Sequence, residues 1–166
     1  RINRFSEEET KSLRELMECS HPDWEVLFHL YHDQKMNPMS FLKSEQFLNI
    51  LTASCLEKYP YIAFADAFHT MRSMLLPVLY LLGSEVPLAD TYHAISTGYG
   101  GLLACLGGYV YRRPVLLTEH GIYTREREEE IIRAKWVIPS FKKQWISFFY
   151  MLSEAIYKRA FRVTSL

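Results

Sequence analysis

The sequence predicts an α/β fold: a helix-rich domain with a short, open, parallel sheet. Three observations predict it. Residues before Pro87 follow helical periodicity almost throughout. From Pro87 onward, runs of β-formers alternate with helical stretches, as parallel strands joined by crossovers require. The two most polar, glycine-containing clusters, Ser96–Gly101 and Glu119–Arg127, fall where strands end, and open α/β sheets bind ligands at the carboxyl ends of their strands.

The first helix is expected over Phe5–Cys19. Ser6 followed by Glu9 is a capping box, and Leu13, Leu16 and Met17 make one apolar stripe. Pro22-Asp23 opens a second helix, with Trp24, Leu27, Phe28 and Tyr31 at i, i+3, i+4 and i+7, which Asn37-Pro38 breaks. A third pattern runs from Ser40 to Tyr59 through Phe41, Phe47, Leu48, Leu51 and Leu56. A fourth, Phe64–Leu82, is apolar on most sides and expected to be buried. Asp90–Ser96 then has β-formers and no helical stripe. Gly98-Tyr99-Gly100-Gly101 leads into a short apolar helix, Leu102–Tyr111. Pro114–Thr118 is a compact apolar run suited to a strand buried on both faces. A charged helix over Thr124–Lys135 follows, then an amphipathic one over Pro139–Arg159 with Trp145, Phe148, Phe149, Leu152 and Ile156 facing inward. Phe161–Leu166 reads as a last strand. Residues 1–86 thus form a mostly helical part and residues 87–166 a Rossmann-like β/α part of one domain.

Composition narrows the function. Lys plus Arg and Asp plus Glu number 19 each, so formal net charge is zero. A dedicated nucleic-acid binder would concentrate positive charge, although one small phosphate ligand needs no such excess. Cys19, Cys55 and Cys105 are an odd number without metal-ligand spacing, which reads as reduced, buried thiols in the cytosol. The opening residues have no signal-peptide pattern. The longest apolar run, Met74–Leu82, is about half of what a membrane span needs and contains Pro77. The chain does not begin with Met and reads as a segment of something longer.

Two constellations are suited to chemistry. In Ser96-Thr97-Gly98-Tyr99-Gly100-Gly101, small residues and hydroxyls sit where a strand turns into a helix N-terminus, whose free N–H groups favour an anion or a dense hydroxyl ligand. Leu103 occupies the third glycine position of a dinucleotide fingerprint, and tight helix–strand packing explains the glycines equally well. The second is Thr118-Glu119-His120-Gly121-Ile122-Tyr123-Thr124-Arg125-Glu126-Arg127. A histidine at a strand end can donate to a sugar hydroxyl or a developing charge, and Gly121 lets a ligand approach the backbone. Arg125 and Arg127 suit phosphate or an acidic acceptor, or else pair with Glu128–Glu130 on a solvated helix face. His93 either faces the cleft or packs beneath the glycine turn. His21, His29, His32 and Asp33 are too few for a metal centre, and His69 reads as a hydrogen-bonded core histidine.

The run from Asp90 through Ser96-Thr97-Gly98-Tyr99-Gly100-Gly101, and that from Arg113 through Thr118-Glu119-His120-Gly121-Ile122-Tyr123-Thr124-Arg125-Glu126-Arg127, closely resemble the PelF-type glycosyltransferases. Trp145-Ile146-Ser147-Phe148-Phe149 and Arg162–Leu166 match the same pattern, and the helical first half matches it more loosely. The resemblance implies a retaining family 4 glycosyltransferase of GT-B architecture, in which two Rossmann-like domains face each other and no metal or other cofactor is needed. It implies a UDP-sugar donor, UDP-glucose or a relative, and a polysaccharide acceptor. It also implies a cytoplasmic location beside an inner-membrane exopolysaccharide complex. His120 is then the catalytic residue near the donor sugar. Ser96, Thr97, Gly98, Gly100, His93, Glu119, Gly121, Tyr123, Thr124, Arg125 and Arg127 are the expected substrate-binding residues.

Two departures matter: the family's N-terminal strand with its glycine-rich loop is not in this sequence, nor is its C-terminal donor-binding domain with paired glutamates and nucleotide pocket. The 166 residues by themselves are therefore expected to be inert, and a bare apolar face to promote self-association. The alternative is a non-catalytic α/β binding or scaffold module, which has no need of a polar strand-end cluster such as Glu119-His120-Gly121. A nicotinamide-dependent oxidoreductase is disfavoured by Leu103, and NADH fluorescence quenching separates it.

Overall fold

The computed structural model describes residues 5–165. The chain divides into two compact units, Arg1–Gly83 and Ser84–Leu166.

The first unit is helical. Helix α1 (Glu7–Met17) starts with the capping box: Ser6 accepts from the Glu9 amide and the Glu9 side chain accepts from the Ser6 amide. Leu13, Leu16 and Met17 form its buried stripe. The Asp23 carboxylate caps α2 (Trp24–Phe28), which runs on into a π-helical turn, His29–Asp33. Asn37 caps α3 (Pro38–Leu42), with Pro38 in the first turn where a missing N–H costs nothing. The single helix expected over Ser40–Tyr59 is divided. The Ser44 hydroxyl accepts from the Phe47 amide and starts α4 (Glu45–Lys58), while the Ser44 amide still donates to Phe41. Leu56 lies outward, 73% exposed, against the inward position expected of it.

Helix α5 (Phe64–Leu82) also corrects an expectation. Its buried residues, Ala67, Met71, Met74, Leu75, Val78, Leu79 and Leu82, recur at helical spacing on one face only. His69 is exposed and is not a core histidine. Pro77 and Ser73, whose carbonyl loses its N–H partner to the proline, are both exposed residues on the outer side of the helix. At the centre of this unit Phe41, Phe47 and Phe68 meet edge to face at 5.5 and 5.8 Å.

The second unit is the α/β part. Strand β1 (Tyr92–Ala94), α6 (Tyr99–Tyr111), β2 (Val115–Glu119), α7 (Tyr123–Arg133), a 3₁₀ turn (Pro139–Phe141), α8 (Lys142–Arg159) and β3 (Arg162–Ser165) follow in order. The strands are all parallel and lie in the order β1-β2-β3. The alternation read from the sequence is therefore present as a partial Rossmann-like sheet. Strand β1 is shorter than the Asp90–Ser96 expected, and Leu166, placed in the last strand, lies outside the described residues.

Strand β2 is not buried on both faces. Val115 and Leu117 are 2% and 1% exposed, whereas Leu116, Thr118 and Glu119 are half-buried. In register, Tyr92 lies beside Val115 and Ala94 beside Leu117, so these four share the covered face. Helix α6 reaches that face closely because it carries glycines: a Cβ on Gly107 would lie 2.5 Å from the Tyr92 ring. Helix α8 packs on α6 through its buried face, including Phe148, Leu152 and Ile156. The opposite face carries His93, Leu116, Thr118, Arg162 and Thr164, of which His93, Arg162 and Thr164 are exposed. The Tyr111 hydroxyl donates to the Val86 carbonyl at 2.9 Å and Tyr92 to that of Pro87, which pins the segment leading into β1.

Candidate functional site

Because β1 and β2 are parallel neighbours, the turns after them emerge at the same edge of the sheet. The turn after β1 is built on a backbone that favours glycine. Gly98 has φ 75° and ψ −141°, and a Cβ there would fall 2.6 Å from the Tyr123 ring. The close approach made possible by this glycine is taken by Tyr123. Thr97 is 2% exposed and its hydroxyl accepts from Ser153 of α8 at 2.7 Å, so its side chain braces the turn from within. Ser96 and Gly100 are exposed at the turn, and α6 has no side-chain cap at its N-terminus.

The turn after β2 contains the second cluster. Glu119, the last residue of β2, is half-buried and accepts a short hydrogen bond from the Tyr157 hydroxyl of α8. Burial first, and then the bonded Glu119 carboxylate and its charge, push the Tyr157 phenol up to about 12, so Tyr157 is the donor at ordinary pH. His120 is exposed at the bend, and no hydrogen bond or ion pair to it exists among the described residues. Gly121 is exposed beside the Glu126 side chain.

Tyr123 joins the two turns. Its ring covers Gly98, meets Phe149 edge-on at 6.1 Å, and lies 5.4 Å from the Arg127 guanidinium carbon. Burial raises its phenol pKa, opposed by Arg127 and reinforced by Glu130. Thr124 is half-buried in the first turn of α7. Arg125 pairs with Glu129 at 3.6 Å and Arg127 with Glu130 at 2.7 Å, so both arginines engage carboxylates of their own helix. The Arg127 Nε is buried with no hydrogen-bond partner. His93 stands on the open sheet face, with Nε2 2.8 Å from Thr118 Oγ1.

The structure thus brings Gly98, Tyr123 and Arg127 into one stack, with Glu119 and His120 on the neighbouring turn. It holds His93 through Thr118 and commits Arg125 to Glu129. A surface hollow of about 450 Å³, lined by Glu126, Glu129, Glu130, Arg133, Ala134 and Trp136, lies along α7 and includes neither Glu119 nor His120. His29 and His32 both bond Asp33 at 3.0 Å, but no group of three or more potential metal ligands converges among the described residues. No helix among them is long and apolar enough to cross a membrane.

Over residues 1–166 the sequence matches the profile of DUF3492, a domain of unknown function. The chain belongs to the DUF3492 family. Neither a curated protein nor a solved structure matches it. Family membership is compatible with the N-terminal domain of a glycosyltransferase.

In this DUF3492 chain the strand ends offer an imidazole with open nitrogens, a carboxylate held by a phenol, an exposed serine and a half-buried tyrosine–arginine pair. Such groups can bind hydroxyls and stabilise developing charge. Sequence reasoning missed Tyr157 and Ser153. A signal for Ser153 was present: a lone serine on the apolar stripe of Phe149, Leu152 and Ile156. Tyr157 gave none, since it sits just off that stripe and is 42% exposed.

Proposed function

We propose that this DUF3492 chain is the acceptor-side part of the N-terminal domain of a PelF-type glycosyltransferase. The parent enzyme transfers a sugar with retention from a UDP-sugar, UDP-glucose or a relative, to a growing exopolysaccharide. It works in the cytoplasm beside an inner-membrane complex and requires no metal. The observation that carries the reading is the position of the string Thr118–Arg127, which carries the family resemblance: it spans the end of β2 and the first turns of α7. Open α/β sheets bind their ligands at that edge.

In this reading the bond between the anomeric carbon and the UDP oxygen breaks as the acceptor hydroxyl oxygen bonds to the same carbon, and the hydroxyl proton passes to the departing UDP phosphate. His120 is exposed and unpartnered, so its ring is available to orient the donor sugar and stabilise charge at the anomeric carbon. Glu119, fixed by Tyr157, and the exposed Ser96 and Gly100 of the first turn line the acceptor side. Tyr123 and Arg127 form the wall between the turns. In such enzymes the donor-binding energy comes mainly from the second domain.

The test is UDP release from UDP-glucose by the parent protein and its His120→Ala variant. Turnover in the parent and a loss of at least about tenfold in the variant, roughly 1.4 kcal/mol of transition-state stabilisation, support the reading. A parent that releases UDP from no UDP-sugar gives the lead to a non-catalytic binding module on the same fold.

A further inference from the structure

The open face of the sheet carries a row of polar side chains whose protons can be assigned by counting. Thr118 and Thr164 are register partners on β2 and β3, and their hydroxyl oxygens are 2.8 Å apart. His93 is paired in register with Leu116, yet its ring leans forward to Thr118, placing Nε2 2.8 Å from that hydroxyl. At the far end the Thr164 hydroxyl donates to the Leu117 carbonyl at 3.4 Å.

A threonine hydroxyl has one proton to donate and two lone pairs to accept with. Either threonine can donate across their 2.8 Å contact, and the order that also keeps the longer Thr164–Leu117 contact has Thr118 as the donor between them. Thr118 has then given its proton away, and the contact with His93 exists only if His93 Nε2 carries a hydrogen. In the neutral ring that leaves Nδ1 bare, as an acceptor. His93 is exposed, and Nδ1 has no partner among the described residues.

We propose that His93 is a specificity-determining residue: the Thr164–Thr118 row locks its neutral ring in the Nε2–H form, so that Nδ1 accepts a hydrogen bond from a hydroxyl of a saccharide acceptor. The inference rests on the glycosyl-transfer reading for the identity of that ligand, whereas the locked ring rests on the proton order that satisfies all three contacts. The row runs toward the carboxyl ends of the strands, because the ring leans from its register partner Leu116 to Thr118, one residue before the end of β2. The ligand this selects offers O–H groups: a neutral saccharide has many, whereas a fully ionised phosphate or carboxylate has none to give.

Long-range ¹H–¹⁵N NMR of the 166-residue chain at a pH where His93 is neutral reads the assignment directly. The expected result is one pyrrole-like nitrogen at Nε2 and one pyridine-like nitrogen at Nδ1, with the distinction averaged in Thr118→Val, which preserves the β-branched shape. An Nδ1–H ring, or an averaged ring in the unsubstituted chain, overturns the lock. Cellobiose is then titrated: an upfield shift of the His93 Nδ1 resonance in the unsubstituted chain supports saccharide recognition, and no shift overturns it. In the parent enzyme, His93→Phe is expected to raise the acceptor KM roughly three- to tenfold, the effect of losing one neutral hydrogen bond, with kcat little changed. An unchanged KM in a parent that turns over refutes the role of His93 alone. A parent without turnover refutes the transferase reading, while the ring assignment and the cellobiose titration still stand or fall by themselves.

Discussion

Replacing Gly98 by alanine tests the joint between the two turns. Two costs are separable. At φ 75° and ψ −141° the backbone lies in a region that L-residues avoid, and holding alanine there costs about 1–3 kcal/mol. The new methyl would also lie 2.6 Å from the Tyr123 ring, an overpacking whose cost is typically another ~1–3 kcal/mol. The expected destabilisation is therefore about 2–6 kcal/mol, a large part of a typical domain's stability. Urea unfolding followed by circular dichroism reads it as a lower midpoint at unchanged slope. A Tyr123→Ala background separates the terms. Without the ring the clash disappears, so Gly98→Ala should cost only its backbone share there. The double-mutant cycle then shows a coupling of about 1–3 kcal/mol. A loss below ~0.5 kcal/mol in the single variant would refute the backbone assignment, and zero coupling would refute the seating of Tyr123 on Gly98.

Two further outcomes follow from buried polar groups. Ser153→Ala leaves the Thr97 hydroxyl, 2% exposed, without its donor and should cost about 1–3 kcal/mol in the same unfolding assay; adding Thr97→Val should recover part of it. A double variant no better than Ser153→Ala would sink that account. Tyr157 and Tyr99 are each raised from 10.0 to about 12, by burial first in both cases. Their folded-state pKa lies above the unfolded one, so the stability they contribute is fully present below pH 10 and lost as pH climbs toward about 12. Tyr157→Phe should flatten part of that decline in alkaline unfolding curves, and an identical slope would count against the Glu119–Tyr157 bond.

The fold was legible where one physical signal dominates. Ser6 and Glu9 announced α1, and Gly98 together with the apolar Pro114–Thr118 run announced the β/α alternation. Legibility failed where tertiary context decides. Ser44 has the chemistry to continue a helix or to cap a new one, and only the structure shows it capping. The α5 helix is rich enough in apolar residues to read as wholly buried, yet Ala65, Asp66, His69, Arg72 and Ser73 line its exposed side. At the candidate site the sequence identified the residues at the two turns but not their partners. Tyr157, Ser153 and Thr164 lie 38, 56 and 46 positions from Glu119, Thr97 and Thr118, the groups they hold, and no local pattern spans such separations.

The π-helical turn at His29–Asp33 bears on how sequences of this family vary in length. There the Gln34 amide reaches back five residues to His29, so the turn holds one residue more than an α-helical turn would. Elsewhere in a helix, deleting one residue rotates everything beyond it by about 100° and turns the buried stripe to water. Within this turn a deletion can be absorbed by reverting to ordinary α geometry. Single-residue insertions and deletions among relatives should therefore gather at this turn, leaving Leu27 and Phe28 before it aligned without gaps.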